Sequence, residues 1–328
     1  MAVIYLTEQN AILRKRGERL VVEKERQVLL DVHQFKVSAV CLFGNVQVTT
    51  QAASALLARG IDLALFSLRG RLKGHLTPPW GKNALVRLRQ YQRVCDPSFA
   101  LSMSRALVAA KLTNCEAVLA RLARSQREVD VTPQRDALHH AVQRLSTAPD
   151  KEAVRAIEGS ATAAYFAALR AFVAPEWQFH HRQRRPPKDP VNALLSLGYV
   201  LLGNEVQAII GGVGLDPYLG LYHELRYGRA SLALDVLEPF RAPVIDRLTV
   251  RLLNLKQLTR YDFQLHPALG VRLAPRALKK YFLEYERWLG QASLPSQPHS
   301  FRALLRQEVE KLRRAIAKGE PYDAYTFA

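Results

Sequence analysis

Cysteine is scarce in this chain, with Cys41, Cys95 and Cys115 as its three examples in 328 residues. Their odd number and wide spacing exclude a disulfide-stapled scaffold and a zinc ribbon, both of which need closely paired thiols. Long apolar runs are missing as well. No segment approaches the ~18 apolar residues that a bilayer span requires, and Val191 to Leu202, interrupted by Asn192 and Ser196, reads as a buried helix. The N-terminal MAVIYLTEQNAILRKRGERL reaches charged residues too early for a secretory apolar core. A cytoplasmic protein with no membrane partner is expected.

Acidic residues are also in deficit: 29 Asp plus Glu against 47 Lys plus Arg, a formal charge of +18. Such a balance attracts polyanions, nucleic acid first, although a merely solvated basic surface has the same composition. Phosphate-loop chemistry is not indicated. Gly211-Gly212-Val213-Gly214 lacks a following Lys-Ser/Thr and opens no βαβ unit, so these glycines are assigned to backbone geometry.

What is present divides the chain in two. Val3 to Leu6, Ala11 to Lys15, Arg19 to Glu23, Val28 to Val32, Val37 to Phe43 and Val46 to Thr49 alternate or are β-branched, with turns at Gly17 and Gly44-Asn45. Gln51 to Arg59 is a short helix closed by Gly60, and Ile61 to Phe66 and Arg71 to Leu76 are further strands. The cluster Thr77-Pro78-Pro79-Trp80-Gly81 ends this pattern. From about Asn83 the period moves toward 3.6, and breaks at Asp96-Pro97, Thr132-Pro133 and Ala148-Pro149 separate successive helices. The expected fold class is therefore α+β: a small N-terminal all-β domain over 1–80, then a larger all-α domain over 81–328. Between Lys82 and Arg144 there are eleven Lys or Arg and five Asp or Glu, so much of the basic excess lies on helices.

Candidate chemistry concentrates in two places. Glu158, Thr162, Tyr165 and Leu169 share one face of a helix, and a carboxylate on such a face needs a cation or a hydrogen-bonding partner. In GLDPYLGLYHELRYGRASLALDVLEPFR, Asp235 and Glu238 are three apart and share a helix face, while His223 lies twelve residues earlier. That separation is about 18 Å along one helix, so only a reversal at Tyr227-Gly228-Arg229 brings the imidazole to the carboxylates. Spacing permits a metal site; a helix with a solvated acidic face fits it too. Similarly, HHRQRRPPKDP from His180 to Pro190 is either a phosphate-contacting loop, through Arg182, Arg184, Arg185 and Lys188, or an ordinary linker. Tyr165 is assigned to positioning or packing, and the run Arg302 to Lys318 to a basic amphipathic helix that touches DNA or covers the core.

The segments IEGSATAAYF, RRPPKDPVNALLSLGYVLL and GLDPYLGLYHELRYGRASLALDVLEPFRAPVIDR resemble the CRISPR-associated integrase and endonuclease family, Cas protein one, of spacer acquisition. GNVQVTTQAASALLARGIDLALFS is similar to that family's N-terminal domain. The resemblance implies an N-terminal β-domain that serves dimerisation and a helical catalytic, metal- and DNA-binding domain, working as a homodimer. It implies a divalent ion, Mg²⁺ or Mn²⁺, held by Glu158, His223 and Glu238, with Asp235 as a further catalytic position, either an added ligand or a neighbour of one. Arg241 stands where other members carry Lys, which keeps the charge and changes its geometry. Implied partners are double-stranded DNA, as prespacer and CRISPR array, Cas protein two and a prespacer-trimming nuclease. The implied reaction is insertion of prespacer DNA into the array by 3′-hydroxyl transesterification, with hydrolysis when water replaces the hydroxyl. Two other readings remain open: a non-catalytic DNA-binding assembly subunit, and a metal-dependent nuclease outside spacer acquisition.

Overall fold

The period-two runs at the N-terminus become strands in the computed structural model, which describes residues 2–68, 72–76, 84–183, 186–294 and 297–327. They are β1 (Ala2–Leu6), β2 (Ile12–Arg16), β3 (Arg19–Lys24), β4 (Gln27–His33), β5 (Val37–Phe43) and β6 (Gln47–Val48), then helix α1 (Thr50–Ala58), β7 (Asp62–Phe66) and β8 (Leu72–Leu76). Two four-stranded sheets result, ordered β1-β5-β7-β8 and β4-β3-β2-β6. In the first, β1, β5 and β7 run parallel and β8 antiparallel to β7; in the second, β2, β3 and β4 form an antiparallel meander. Leu13 on β2 and Leu20 and Val22 on β3 join Ile4, Val40, Leu42, Leu56 and Leu63 in one core, while Arg14 and Arg16 point to solvent. Thr49 caps α1 by accepting from the Ala52 amide, and Gly60, at φ +69°, supplies the left-handed turn that ends it.

Two units emerge, Met1–Trp80 with Ala274–Arg287 and Gly81–Leu273 with Trp288–Ala328. Residues 274–287, expected with the helical domain, join the first unit because their aromatic face packs there. Phe282 stacks on Tyr5 at 4.6 Å and lies 4.8 Å from Phe43, and the Tyr5 hydroxyl donates to Glu286 at 2.7 Å. Burial of that one ring contributes roughly 1.5–3 kcal/mol, which chain order gives no means to foresee. The Thr77-to-Gly81 cluster, with Trp80, lies outside the described residues.

The second unit is helical: α2 (Ala84–Val94), α3 (Pro97–Ser125), α4 (Thr132–Leu145), α5 (Lys151–Ala171), α6 (Pro190–Gly212), α7 (Ser231–Phe240), a π-helical turn (Arg241–Asp246) and α8 (Arg247–Asn254). A hairpin follows, β9 (Phe263–His266) and β10 (Gly270–Leu273), then α9 (Pro275–Gly290), which begins in the first unit, a second hairpin β11 (Ala292–Leu294) and β12 (Gln297–Ser300), and α10 (Phe301–Lys318). The caps explain the starts: Asp96, Asp150 and Asp189 each accept backbone amides at the first turns of α3, α5 and α6. The two hairpins depart from an all-α expectation, being too short to stand out from loops in a period count. So does the length of α6. Its 23 residues include a window of mean hydropathy 1.5, long and apolar enough by composition to cross a membrane, contrary to the shorter run read from the sequence. Asn192 on α6 hydrogen-bonds the His181 carbonyl and Asp189, and Glu205 pairs with Arg302 at 2.7 Å.

Candidate metal and phosphodiester site

Helix α3 packs against both α5 and α7, and the three carry the central groups. Glu158 comes from the middle of α5 and Glu238 from the end of α7, and between them stands Lys111 of α3. Its ammonium donates to Glu158 Oε1 and lies 2.8 Å from Glu238 Oε2. Thr162, one turn on from Glu158, donates to the same Oε1 at 3.0 Å. Arg241, three residues beyond Glu238, approaches its Oε1 at 3.1 Å and lies over the Tyr199 ring at 4.5 Å.

His223 reaches this point because its loop is pinned to α7 by Asp235. The Asp235 carboxylate is fully buried and accepts from the Leu221, Tyr222 and His223 amides at 2.6, 3.0 and 2.8 Å, and from His223 Nδ1 at 2.7 Å. Gly220 permits the close approach: a Cβ there would lie 2.6 Å from Ser231 Cβ. The reversal expected at Tyr227-Gly228-Arg229 is present, with Gly228 at φ +69°. With four donors on it, Asp235 has used its lone-pair directions, and Nδ1 must carry the proton it shares with that carboxylate. Nε2 is left with a lone pair, 3.8 Å from Glu238 Oε1.

Burial by itself would raise the Glu238 carboxyl, but Arg241, then Lys111 and, when its ring is protonated, His223, outweigh it and hold the group down to about 2. Glu238 is therefore ionised, and it needs positive charge near it. Among the described residues no three His, Cys, Asp or Glu side chains are already closed around one point, because Lys111 stands between the two glutamates. The donor set nonetheless fits a hard divalent ion: two carboxylates and one imidazole lone pair suit Mn²⁺ or Mg²⁺, and an ammonium already sits where such a cation would bind.

Behind the site the backbone is irregular for an identifiable reason. Pro239 and Pro243 remove two helical donors, and the chain passes through the π-helical turn. The Pro239 carbonyl, which Pro243 cannot serve, accepts from Asn114 Nδ2 at 2.7 Å instead. The same Asn114 donates to the Tyr325 carbonyl and accepts from the Phe327 amide, so the C-terminal segment is tied to the end of α7. Asp246 ends the turn as a further buried carboxylate, accepting from Tyr165 at 2.9 Å and Tyr199 at 2.5 Å. Burial pushes it up to about 6 despite those two hydrogen bonds. Tyr165 is thus held in the core, as packing requires, and burial raises its phenol well above the ordinary value.

The basic loop is partly described. Arg182 donates to Asn192 Oδ1 at 2.7 Å and lies over Tyr199 at 5.4 Å, which places it beside Arg241 on the same ring. Lys188 is exposed and lines a cavity of about 280 Å³ with His180, His181 and Gln183. Arg184 and Arg185 lie outside the described residues. Sequence reasoning missed Lys111, Asp246 and Arg155. Lys111 had a signal, since it is the sole charge in the apolar run ALVAAKLTNC; Asp246 had none, because its partners come from α5 and α6.

A strand-rich unit followed by a helical unit of this construction is shared with solved structures. A Cas1 protein from Thermotoga maritima superposes with a TM-score of 0.85 at 25% identity, covering 99% of this chain and all of that one. A casposase bound to its integration product gives 0.87 at 20% identity over 99% of this chain and 94% of its own, a likeness of fold. In sequence, this chain is 36% identical to a CRISPR-associated endonuclease Cas1 of Thermus thermophilus over 80% of its length and 77% of the relative. It is 34% identical to a Cas4 exonuclease/Cas1 endonuclease fusion of Geobacter sulfurreducens over 96% of its length, and it spans 58% of that fusion. The family model for CRISPR associated protein Cas1 matches residues 4–287, and the chain belongs to that family.

Proposed function

We propose that this chain is a divalent-metal-dependent DNA endonuclease and integrase of spacer acquisition. The observation that carries the reading is the approach of Glu158, Glu238 and His223 Nε2 from three separate segments, with Asp235 holding the imidazole in the tautomer that leaves Nε2 free to bind. Glu158, Glu238 and His223 are the ligands in this proposal, and Asp235 is a positioning residue. A bound Mg²⁺ or Mn²⁺ would supply Lewis acidity to phosphoryl oxygens.

The rest of the chemistry belongs to the protein's own groups. A DNA 3′-hydroxyl attacks an array phosphodiester, a new P–O bond forms, and the bond to the leaving 3′-oxygen breaks in line, so one diester replaces another. Arg241 sets a fixed positive charge beside the carboxylates, where negative charge builds on the phosphoryl group, and Lys111 balances the two glutamates when no cation is bound. With water as nucleophile, the same groups support hydrolysis. Arg182, Lys188 and Arg241 are proposed DNA contacts, together with Arg184 and Arg185 of the same loop. The partner proposals are prespacer and array DNA, Cas2, a second copy of the chain and a trimming nuclease. Solved neighbours that are Cas6-RT-Cas1–Cas2 complexes, and a Cas4/Cas1 fusion among the relatives, support them. Val28, Leu29 and Phe35, exposed on and just beyond β4, support self-association through the first unit.

The deciding experiment is strand transfer of a labelled duplex with free 3′-hydroxyls into a supercoiled array plasmid, with Cas2 and Mn²⁺. Glu158→Ala and His223→Ala should each abolish joining. Full activity in both variants would remove the metal-site assignment, and no joining by the unmodified protein would favour the assembly-subunit reading.

A further inference from the structure

Glu158 and His223 themselves line a cavity of about 320 Å³ whose rim is arginine-rich: Arg155, Arg226 and Arg229 border it together with Glu224. The three guanidinium groups gather on that one residue. Arg155 Nη1 lies 2.9 Å from its carboxylate and Arg226 Nη2 3.3 Å, while Arg229 donates to its backbone carbonyl. Arg155 is placed by α5 one turn before Glu158, and Arg229 is oriented by Ser231 at the start of α7, so the rim is attached to the two helices that carry the candidate ligands. Glu152 also pairs with Arg155, at 3.0 Å, but on the helix surface.

The Glu224 carboxylate, paired with two guanidinium groups and half exposed at the mouth of the cavity, with a third guanidinium on its own backbone carbonyl, has the charge and reach of a phosphodiester oxygen pair. Arginine forks bind either anion by the same hydrogen-bond geometry. We propose that Glu224 holds the place of a DNA backbone phosphate in the free protein, and that Arg155, Arg226 and Arg229 form the subsite that takes a phosphate next to the reacting one once Glu224 is displaced. The inference rests on the reading of Glu158 and His223 as the reaction centre, and it assigns a specific duty to residues outside the basic loop. A backbone subsite of this kind positions DNA without reading sequence.

The test is equilibrium binding of the full chain to fluorescent duplex DNA in EDTA, across a potassium chloride series. Arg226→Gln, an exposed change that leaves the fold intact, should weaken binding and reduce the slope of log K against log salt by about 0.9, the value of one phosphate contact. Glu224→Gln, which removes the competing anion and keeps its shape, should tighten binding on the order of fivefold, the scale of one half-exposed charge pair. An unchanged slope in Arg226→Gln, or a Glu224→Gln variant that binds no more tightly than wild type, would overturn the proposal. Strand transfer by Glu158→Ala separates this result from the catalytic reading: if that variant joins DNA as wild type does while Arg226→Gln and Glu224→Gln shift binding as stated, the catalytic reading alone fails.

Discussion

Replacing Lys111 with methionine keeps the side chain's length and deletes the charge that Glu158 and Glu238 share. Lys111 and Glu238 are 7% and 4% exposed, so water cannot replace the lost ammonium. The Glu238 carboxyl lies at about 2 against its usual 4.5, a difference worth about 3 kcal/mol at 1.36 kcal/mol per unit. Because the folded value is depressed, that stability is present above 4.5 and is lost as the pH falls through about 2. Arg241 remains beside Glu238 in the variant and retains part of the effect, while Glu158 loses its cation as well. Lys111→Met should therefore lower the unfolding free energy by about 2–4 kcal/mol at pH 7 in EDTA. The deficit should shrink as the pH falls and the stranded carboxyls protonate, and Mn²⁺ should raise the variant's Tm more than that of wild type. Urea titrations at pH 7 and pH 4, with thermal melts in EDTA and Mn²⁺, measure all three. A variant as stable as wild type at pH 7, or a deficit independent of pH, would refute the account of Lys111 as the counter-ion of the two glutamates.

Asp235→Asn retains an acceptor for the loop amides but no longer fixes the His223 tautomer; strand-transfer rate should fall about 10- to 100-fold, together with metal affinity measured by calorimetry. Asn114→Ala leaves the Pro239 and Tyr325 carbonyls and the Phe327 amide without their partner, and a loss of about 2–3 kcal/mol in urea unfolding is expected; a loss under ~0.5 kcal/mol would show that the C-terminal tie is dispensable. Asp246, pushed up to about 6, binds a proton in the folded state at pH values where the unfolded chain has released it, so its contribution falls as the pH rises from about 4 to 6. Asp246→Asn should flatten that part of the stability–pH curve, and an unchanged curve would contradict the raised value.

Much of the fold is legible residue by residue. The β-branched run from Arg19 to Glu23, the break at Asp96-Pro97 and the change of period near Asn83 are local signals, and each corresponds to an element in the structure. The assignment of 274–287 was not legible, since it depends on Phe282 meeting Tyr5 and Phe43 from far along the chain. In the candidate site, the shared face of Asp235 and Glu238 and the reversal at Gly228 could be read from spacing. Their unequal use could not. Asp235 is taken up by three amides and His223 Nδ1, a consequence of how the loop from Leu221 lies on α7.

By itself, the sequence determined a basic chain with a strand-rich beginning and a helical remainder, and its resemblance to the Cas1 family pointed to Glu158, His223, Glu238 and Asp235 as the candidate site. The charge and the division into strands and helices follow from composition and periodicity, which act locally. Only the tertiary structure decided that Lys111 stands between Glu158 and Glu238, that Asp246 is buried against Tyr165 and Tyr199, and that three arginines converge on Glu224. Those are electrostatic pairings between distant segments, and Coulomb energy depends on separation in space, which the order of residues along the chain does not specify.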